Sequence, residues 1–208
     1  MSTSKLLDKL KTELELEVAN LPLVESKSDI VHGEGNVSAE VMLIGEAPGY
    51  HETVERRPFV GRSGQLLRKV LVEVGLPPEK VFISNIVKAR PPENRDPTAE
   101  EITAFRPFLD REIEIINPKL MVTLGRFSMA KFLPDVFISQ VHGRLHRVKW
   151  RGKWLFVLPM YHPAAGLRAT KVKESFINDF KKVQKILKWI ECKEEIEDRK
   201  LEVGEALF

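Results

Sequence analysis

Cysteine is almost missing from this sequence: Cys192 stands alone among 208 residues. That excludes a disulfide framework within the chain and suits a reducing compartment. No apolar run approaches the ~20 residues needed to cross a bilayer. The N-terminal stretch MSTSKLLDKLKTELELE is too charged for a signal peptide. The two absences together predict a cytoplasmic protein with no membrane partner. Internal repeats and low-complexity segments are absent too.

What is present is enough for one domain. Apolar residues make up 43% of the chain, which supports a real core at this length. We expect a single domain over residues 1–190, including an N-terminal helix over residues 4–18, and an acidic tail over residues 191–208. Between Glu191 and Phe208 seven acidic residues face three basic ones, a net of −4, so residues 1–190 carry +7 of the overall +3. That sign suits a surface meeting phosphates, and it suits scattered surface lysines equally well.

Hydrophobic periodicity sets the organisation. Leu6, Leu7, Leu10 and Leu14 recur at helical spacing, and Pro22 follows that helix. Short apolar runs at Val41 to Ile44, Val81 to Ile83, Leu120 to Leu124 and Leu155 to Leu158 have the character of buried strands. Helical patterns fall between them at Ser63 to Val74, Thr98 to Ile116 and Phe127 to Phe132, with a last helix expected over Ser175 to Ile190. Strand alternating with helix predicts a parallel sheet covered on both faces. The unusual motifs all follow the strands, where ligands of open α/β sheets bind. A loop with three prolines, Lys88 to Pro97, is long enough to be functional.

Five motifs carry the chemistry: Gly45-Glu46-Ala47-Pro48-Gly49, Arg57-Pro58-Phe59-Val60-Gly61, Ser84-Asn85-Ile86-Val87-Lys88, Arg90-Pro91-Pro92-Glu93-Asn94-Arg95 and His162-Pro163-Ala164-Ala165. In this order and spacing the chain resembles family 4 uracil-DNA glycosylases, from about Leu21 to Ile186. The resemblance implies a three-layer α/β/α sandwich around a central, mainly parallel four-stranded sheet. It implies a monomeric repair enzyme that hydrolyses the N-glycosidic bond of uracil in DNA. A DNA-binding or polymerase-associated module of the same fold, and a relative with another deaminated-base specificity, are the competing readings.

Such a reaction needs a flipped base, a donor for the leaving base, tolerance of positive charge on the sugar, and a placed water. The resemblance assigns His162 as the donor, Glu46 and Asn94 to the water and sugar cation, and Asn85 to reading the base. It places Phe59 as a stacking ring, Ala47 beside the base, and Glu52 near its C5 edge. Each has a plainer alternative: a turn for His162, a cap for Asn85, core for Phe59. Ser63 and Gly64 open a helix suited to a phosphate, or simply cap it. Lys88, Arg95 and Arg168 are further phosphate candidates, and Leu167 a possible wedge.

Family 4 enzymes hold an iron-sulfur cluster on four cysteines. Aligned by the surrounding motifs, those positions fall at Val18, Leu21, Ala89 and Phe105 in this chain. One thiolate cannot build such a cluster, so the expectation is a protein with no metal cofactor whose apolar side chains fill the volume.

Overall fold

Every residue of Val41–Gly45, Val81–Asn85 and Leu120–Leu124 is buried, which requires a sheet covered on both faces. The computed structural model describes residues 1–193. Its strands are β1 (Glu34–Gly35), β2 (Val41–Gly45), β3 (Val81–Asn85), β4 (Leu120–Leu124), β5 (His146–Trp150) and β6 (Lys153–Met160). The helices around them are α1 (Thr3–Leu16), α2 (Tyr50–Glu55), α3 (Arg62–Glu73) and α4 (Ala99–Ile116). Four more follow: α5 (Arg126–Ala130), α6 (Ile138–Val141), α7 (Pro163–Arg168) and α8 (Thr170–Phe180).

The sheet order is β1-β3-β2-β4-β6-β5. Its four inner strands are parallel, and β1 and β5 add antiparallel edges. Four expected strands thus become six. The two extra ones lack an apolar run: β1 is only two residues, Glu34 and Gly35, and β5 alternates between half-buried and exposed residues. Arg151 and Gly152 join β5 to β6 with φ values of 47° and 85°, the left-handed pair that a two-residue hairpin turn needs.

Alternation along β2 divides the core. Val41 and Leu43 face α3 and α8, meeting Leu67, Leu71, Phe176 and Phe180. Met42 and Ile44 face α1 and α4, meeting Leu10, Leu14, Phe105 and Leu109. Helix α4 starts as its sequence predicts: Thr98 accepts from the Glu101 amide, and the Glu101 carboxylate accepts from the Thr98 amide.

Two other expectations change. The helix predicted over Ser175 to Ile190 is broken, since α8 ends at Phe180 and the chain is helical again only over residues 183–193. Asp179, buried beside that break, pairs with Lys182 and His142. The segment after His162, for which no helix is expected, forms α7, with proline at its first position. The acidic tail from residue 194 onward lies outside the described residues.

Because β3 and β4 flank β2 on opposite sides, successive connections from the centre run in opposite directions. The crevice at these strands' carboxyl ends is a topological switch point.

The four positions aligned with the family's cysteines share one apolar cluster. Ala89 and Phe105 are fully buried, and Val18 and Leu21 pack against the same group. Phe105→Ala should therefore destabilise the fold by about 3–5 kcal/mol, the usual cost of truncating a buried Phe. Denaturant unfolding with an unchanged slope reads this directly. A loss below about 1 kcal/mol would remove Phe105 from that supporting role.

Candidate active site

Gly45 ends β2 directly opposite Asn85 at the end of β3. A Cβ on Gly45 would collide with Asn85 Oδ1 and lie 2.5 Å from the Phe59 ring, so its missing side chain lets amide and ring meet over the strand end. Asn85 is buried, and no side chain or backbone group among the described residues hydrogen-bonds its carboxamide. Phe59 lies 5.8 Å from His162, ring centre to ring centre, with the planes 34° apart.

Phe59 holds a φ of 56°, a costly backbone state for a residue with a side chain. Its surroundings impose it. Glu52, buried on α2, accepts hydrogen bonds from the amides of Val60 (2.9 Å), Gly61 (2.7 Å) and Gly49 (3.2 Å). From α3, Arg68 donates to the carbonyls of Phe59 and Pro58, both at 2.8 Å. Buried Gly64 packs directly against the Phe59 backbone. The Glu52 oxygens thus face the backbone amides of the Phe59 loop, and Gly64 packs against the Phe59 backbone.

On the other side of the pocket, Gly125 follows β4 with a φ of 100°. A Cβ there would collide with Glu46 Oε1 and lie 3.2 Å from His162 Cβ, so the glycine marks where these two side chains converge. Burial raises the Glu46 carboxyl to about 7; the Phe127 amide at the start of α5 opposes that rise, the Asp96 charge adds to it, and Arg126 opposes it. Burial pushes the His162 imidazolium down to about 4, with the Glu52 charge opposing and Arg168 assisting. His162 is therefore neutral at pH 7. The Ala164 amide donates to its Nδ1 at 3.2 Å, which leaves the ring proton on Nε2 as a donor. Ala47 sits half-buried beside Glu46.

Asn94 lies on the rim. Its Oδ1 accepts from Arg90 Nε at 2.8 Å and would be 3.8 Å from a Cβ on Gly49. The acid of this loop whose charge reaches Glu46 is Asp96, paired with Arg126. Sequence reasoning missed Asp96, Arg126 and Arg68, each of which acts through a partner distant in sequence.

The DNA-contact candidates divide. Leu167 and Arg168 are exposed at the end of α7, and Ser63 is half-buried as the second residue of α3, which Gly61 caps. Arg95, partly exposed, grips both Glu101 oxygens at the start of α4. Lys88 is corrected outright. Its side chain is 2% exposed, its Nζ donates to Glu112 Oε2 at 2.7 Å and to Ser84 Oγ, and Ser84 Oγ donates to the same Glu112 oxygen at 2.5 Å.

No group of three His, Cys, Asp or Glu residues among the described residues is placed to hold a metal, and Cys192 is exposed. Val18, Leu21, Ala89 and Phe105 offer no thiolate, so the family's iron-sulfur cluster does not fit the side chains present. A cavity of about 540 Å³ between α1 and α4, lined partly by Leu16, Leu21 and Phe108, contains none of the site residues.

A stacking ring, an unpaired amide, a neutral imidazole donor and a carboxyl poised near neutrality form a pocket for a planar, hydrogen-bonding ligand. Residues 32–190 match the family model described as the Uracil DNA glycosylase superfamily. The chain is 42% identical over 186 residues to the Type-4 uracil-DNA glycosylase of Sulfurisphaera tokodaii, covering 86% of this chain and 84% of that one. It is 42% identical over 167 residues to that of Archaeoglobus fulgidus (77% and 83% covered), and 43% over 167 to that of Saccharolobus solfataricus (77% and 77%). The chain belongs to the type-4 uracil-DNA glycosylase family.

Ser84 and Lys88, which flank Asn85 in sequence, hold Glu112 with charge buried in the core. Lys88→Met should cost about 3–5 kcal/mol, because Glu112 then loses its counter-charge. Lys88→Met with Glu112→Leu should recover most of that loss in denaturant unfolding. Equal losses in single and double variants would show that the two charges are not coupled.

Proposed function

We propose that the chain hydrolyses the bond between uracil and deoxyribose in DNA, releasing free uracil and leaving an abasic site for base excision repair. It does so as a monomer, without an iron-sulfur cluster. The convergence of Asn85, Phe59, His162 and Glu46 on one strand-end pocket, in a chain of this family, carries the reading.

The target nucleotide leaves the stack so that its edge can be read. Phe59 offers a face for the base. Asn85 offers a donor and an acceptor together, matching uracil O4 and N3–H and mismatching cytosine. As the bond from N1 to C1′ breaks, its electron pair goes to the base, and the His162 Nε2–H stabilises the growing charge on O2. Positive charge grows on the sugar, where ionised Glu46 opposes it. Water then bonds to C1′ and gives a proton to Glu46, with Asn94 at the rim helping to hold the water. Neutral His162 suits this role, since a hydrogen bond that strengthens only as charge develops lowers the barrier.

A single-uracil oligonucleotide treated with the protein and then alkali should be cut at the uracil. Without alkali the strand should stay intact, and borohydride should trap no adduct. His162→Ala should slow single-turnover cleavage by about 10²-fold or more while DNA affinity changes little. Collapse of binding with a normal rate per bound complex would make His162 a DNA-contact residue.

Acidity separates the two groups further. Ionised Glu46 is lost below about 7, so kcat/KM should rise with pH through that value and level off above it, whereas His162 adds no limb near 6.5 because it titrates near 4. Glu46→Gln should lower the plateau and flatten the rise. Persistence of the same limb in that variant would assign it to another group.

A further inference from the structure

The hairpin of β5 and β6 presents a basic and aromatic face that the catalytic reading does not use. Across its ladder, Lys149 stands opposite Trp154 and Arg147 opposite Phe156, so these four side chains share one face. The Arg147 guanidinium lies 4.7 Å from the centre of the Trp154 ring, yet that residue is still 56% exposed. Phe156 meets Trp189 edge-on at 5.8 Å, and Trp189 is 50% exposed. Lys193 lies over both rings, at 5.5 and 5.3 Å, and exposed Lys185 falls four residues before Trp189 on the same helical stripe.

Two half-exposed indoles beside this many cations are unusual for a surface that touches only water. Arg147, Lys149, Lys153 and Lys185 form no ion pair with any carboxylate among the described residues. The face is also far from the pocket. Its tip is at the amino end of the eight-residue β6 and His162 follows the carboxyl end, a separation of about 23 Å along the strand. The tip of the face thus stands away from the carboxyl ends of the strands.

We propose that this face is a second nucleic-acid surface, which takes single-stranded DNA by stacking bases on Trp154 and Trp189 and meeting phosphates with Arg147, Lys149 and Lys185. Indole faces favour this occupant over an acidic peptide, because a carboxylate side chain has no ring to stack and leaves the exposed indoles unused. Such a surface would hold the unpaired flank of a strand whose uracil lies in the pocket.

The test uses the full chain and an oligothymidylate of about 30 nucleotides without uracil, so it is readable even if excision fails. All three tryptophans, Trp150, Trp154 and Trp189, lie on this hairpin or the helix beside it, and intrinsic fluorescence should be quenched on binding. Trp154→Ala should weaken binding about fivefold or more, a loss expected for one stacked base. Arg147→Glu with Lys149→Glu should flatten the dependence of log affinity on log salt by about 1.4, two phosphate contacts on a single strand. The same variants should leave single-turnover cleavage of a saturating, short uracil oligonucleotide unchanged. Unchanged affinity and salt slope would overturn the proposal. Quenching by a peptide of residues 194–208 but not by the oligonucleotide would overturn it as well, making the face a dock for an acidic segment.

Discussion

Much of this molecule depends on one buried ion pair, Lys88 with Glu112. Two charges in an apolar interior are tolerable only when each satisfies the other, and here Ser84 completes the set. The pair joins α4 to the turn after β3, and Ser84 and Lys88 lie on either side of Asn85. Phe105 precedes Glu112 by seven residues, two helical turns, and so lies on the same face of α4. Ala89 directly follows Lys88. Two of the four positions aligned with the family's cysteines, Ala89 and Phe105, thus lie on elements held together by charge pairing and apolar packing. That joint holds the Asn85 turn without needing thiolates at either position.

A second joint positions the Phe59 ring. Phe59 sits in a left-handed backbone state that its own sequence does not favour, and Glu52 and Arg68 impose it from opposite sides. Arg68 is itself held by Glu34 of the edge strand β1. A carboxylate that accepts three amides has little capacity left for a ligand. Its value lies in fixing where the ring stands relative to His162, since a stacking contact misplaced by about 1 Å carries a large kinetic penalty.

The inner sheet and its loaded turns were legible because doubly covered parallel strands must be apolar throughout, a signal that needs no partner to be read. The Thr98 cap of α4 was legible for a similar reason: its reciprocal hydrogen bonds span only three residues. Strand β5 was missed since its alternating Val148 and Trp150 share the strand with Arg147 and Lys149, so no apolar run forms. Lys88 was misread because its neutralising carboxylate lies 24 residues away, and nothing near Lys88 in sequence announces it. The pairing of Arg95 with Glu101, six residues on, was not legible, because an arginine beside a proline-rich turn has the same local appearance whether it grips a phosphate or a helix start. Residue types could be matched to chemistry; burial and pairing belong to the folded chain.

Burial acts on the two reactive groups in opposite senses of charge and the same sense of neutrality. It lifts the Glu46 carboxyl to about 7 and lowers the His162 imidazolium to about 4. The pocket therefore carries at most a fractional negative charge from Glu46 and none from His162 near pH 7. In the proposed reaction charge separates only as the glycosidic bond stretches, negative toward the imidazole N–H and positive toward the carboxylate. Both interactions are weak with the intact nucleotide and strong at the transition state, and that difference is what a catalyst needs. Gly125, by admitting Glu46 and His162 to the same space, is the residue that would let one pocket serve both ends of the bond in that proposed reaction.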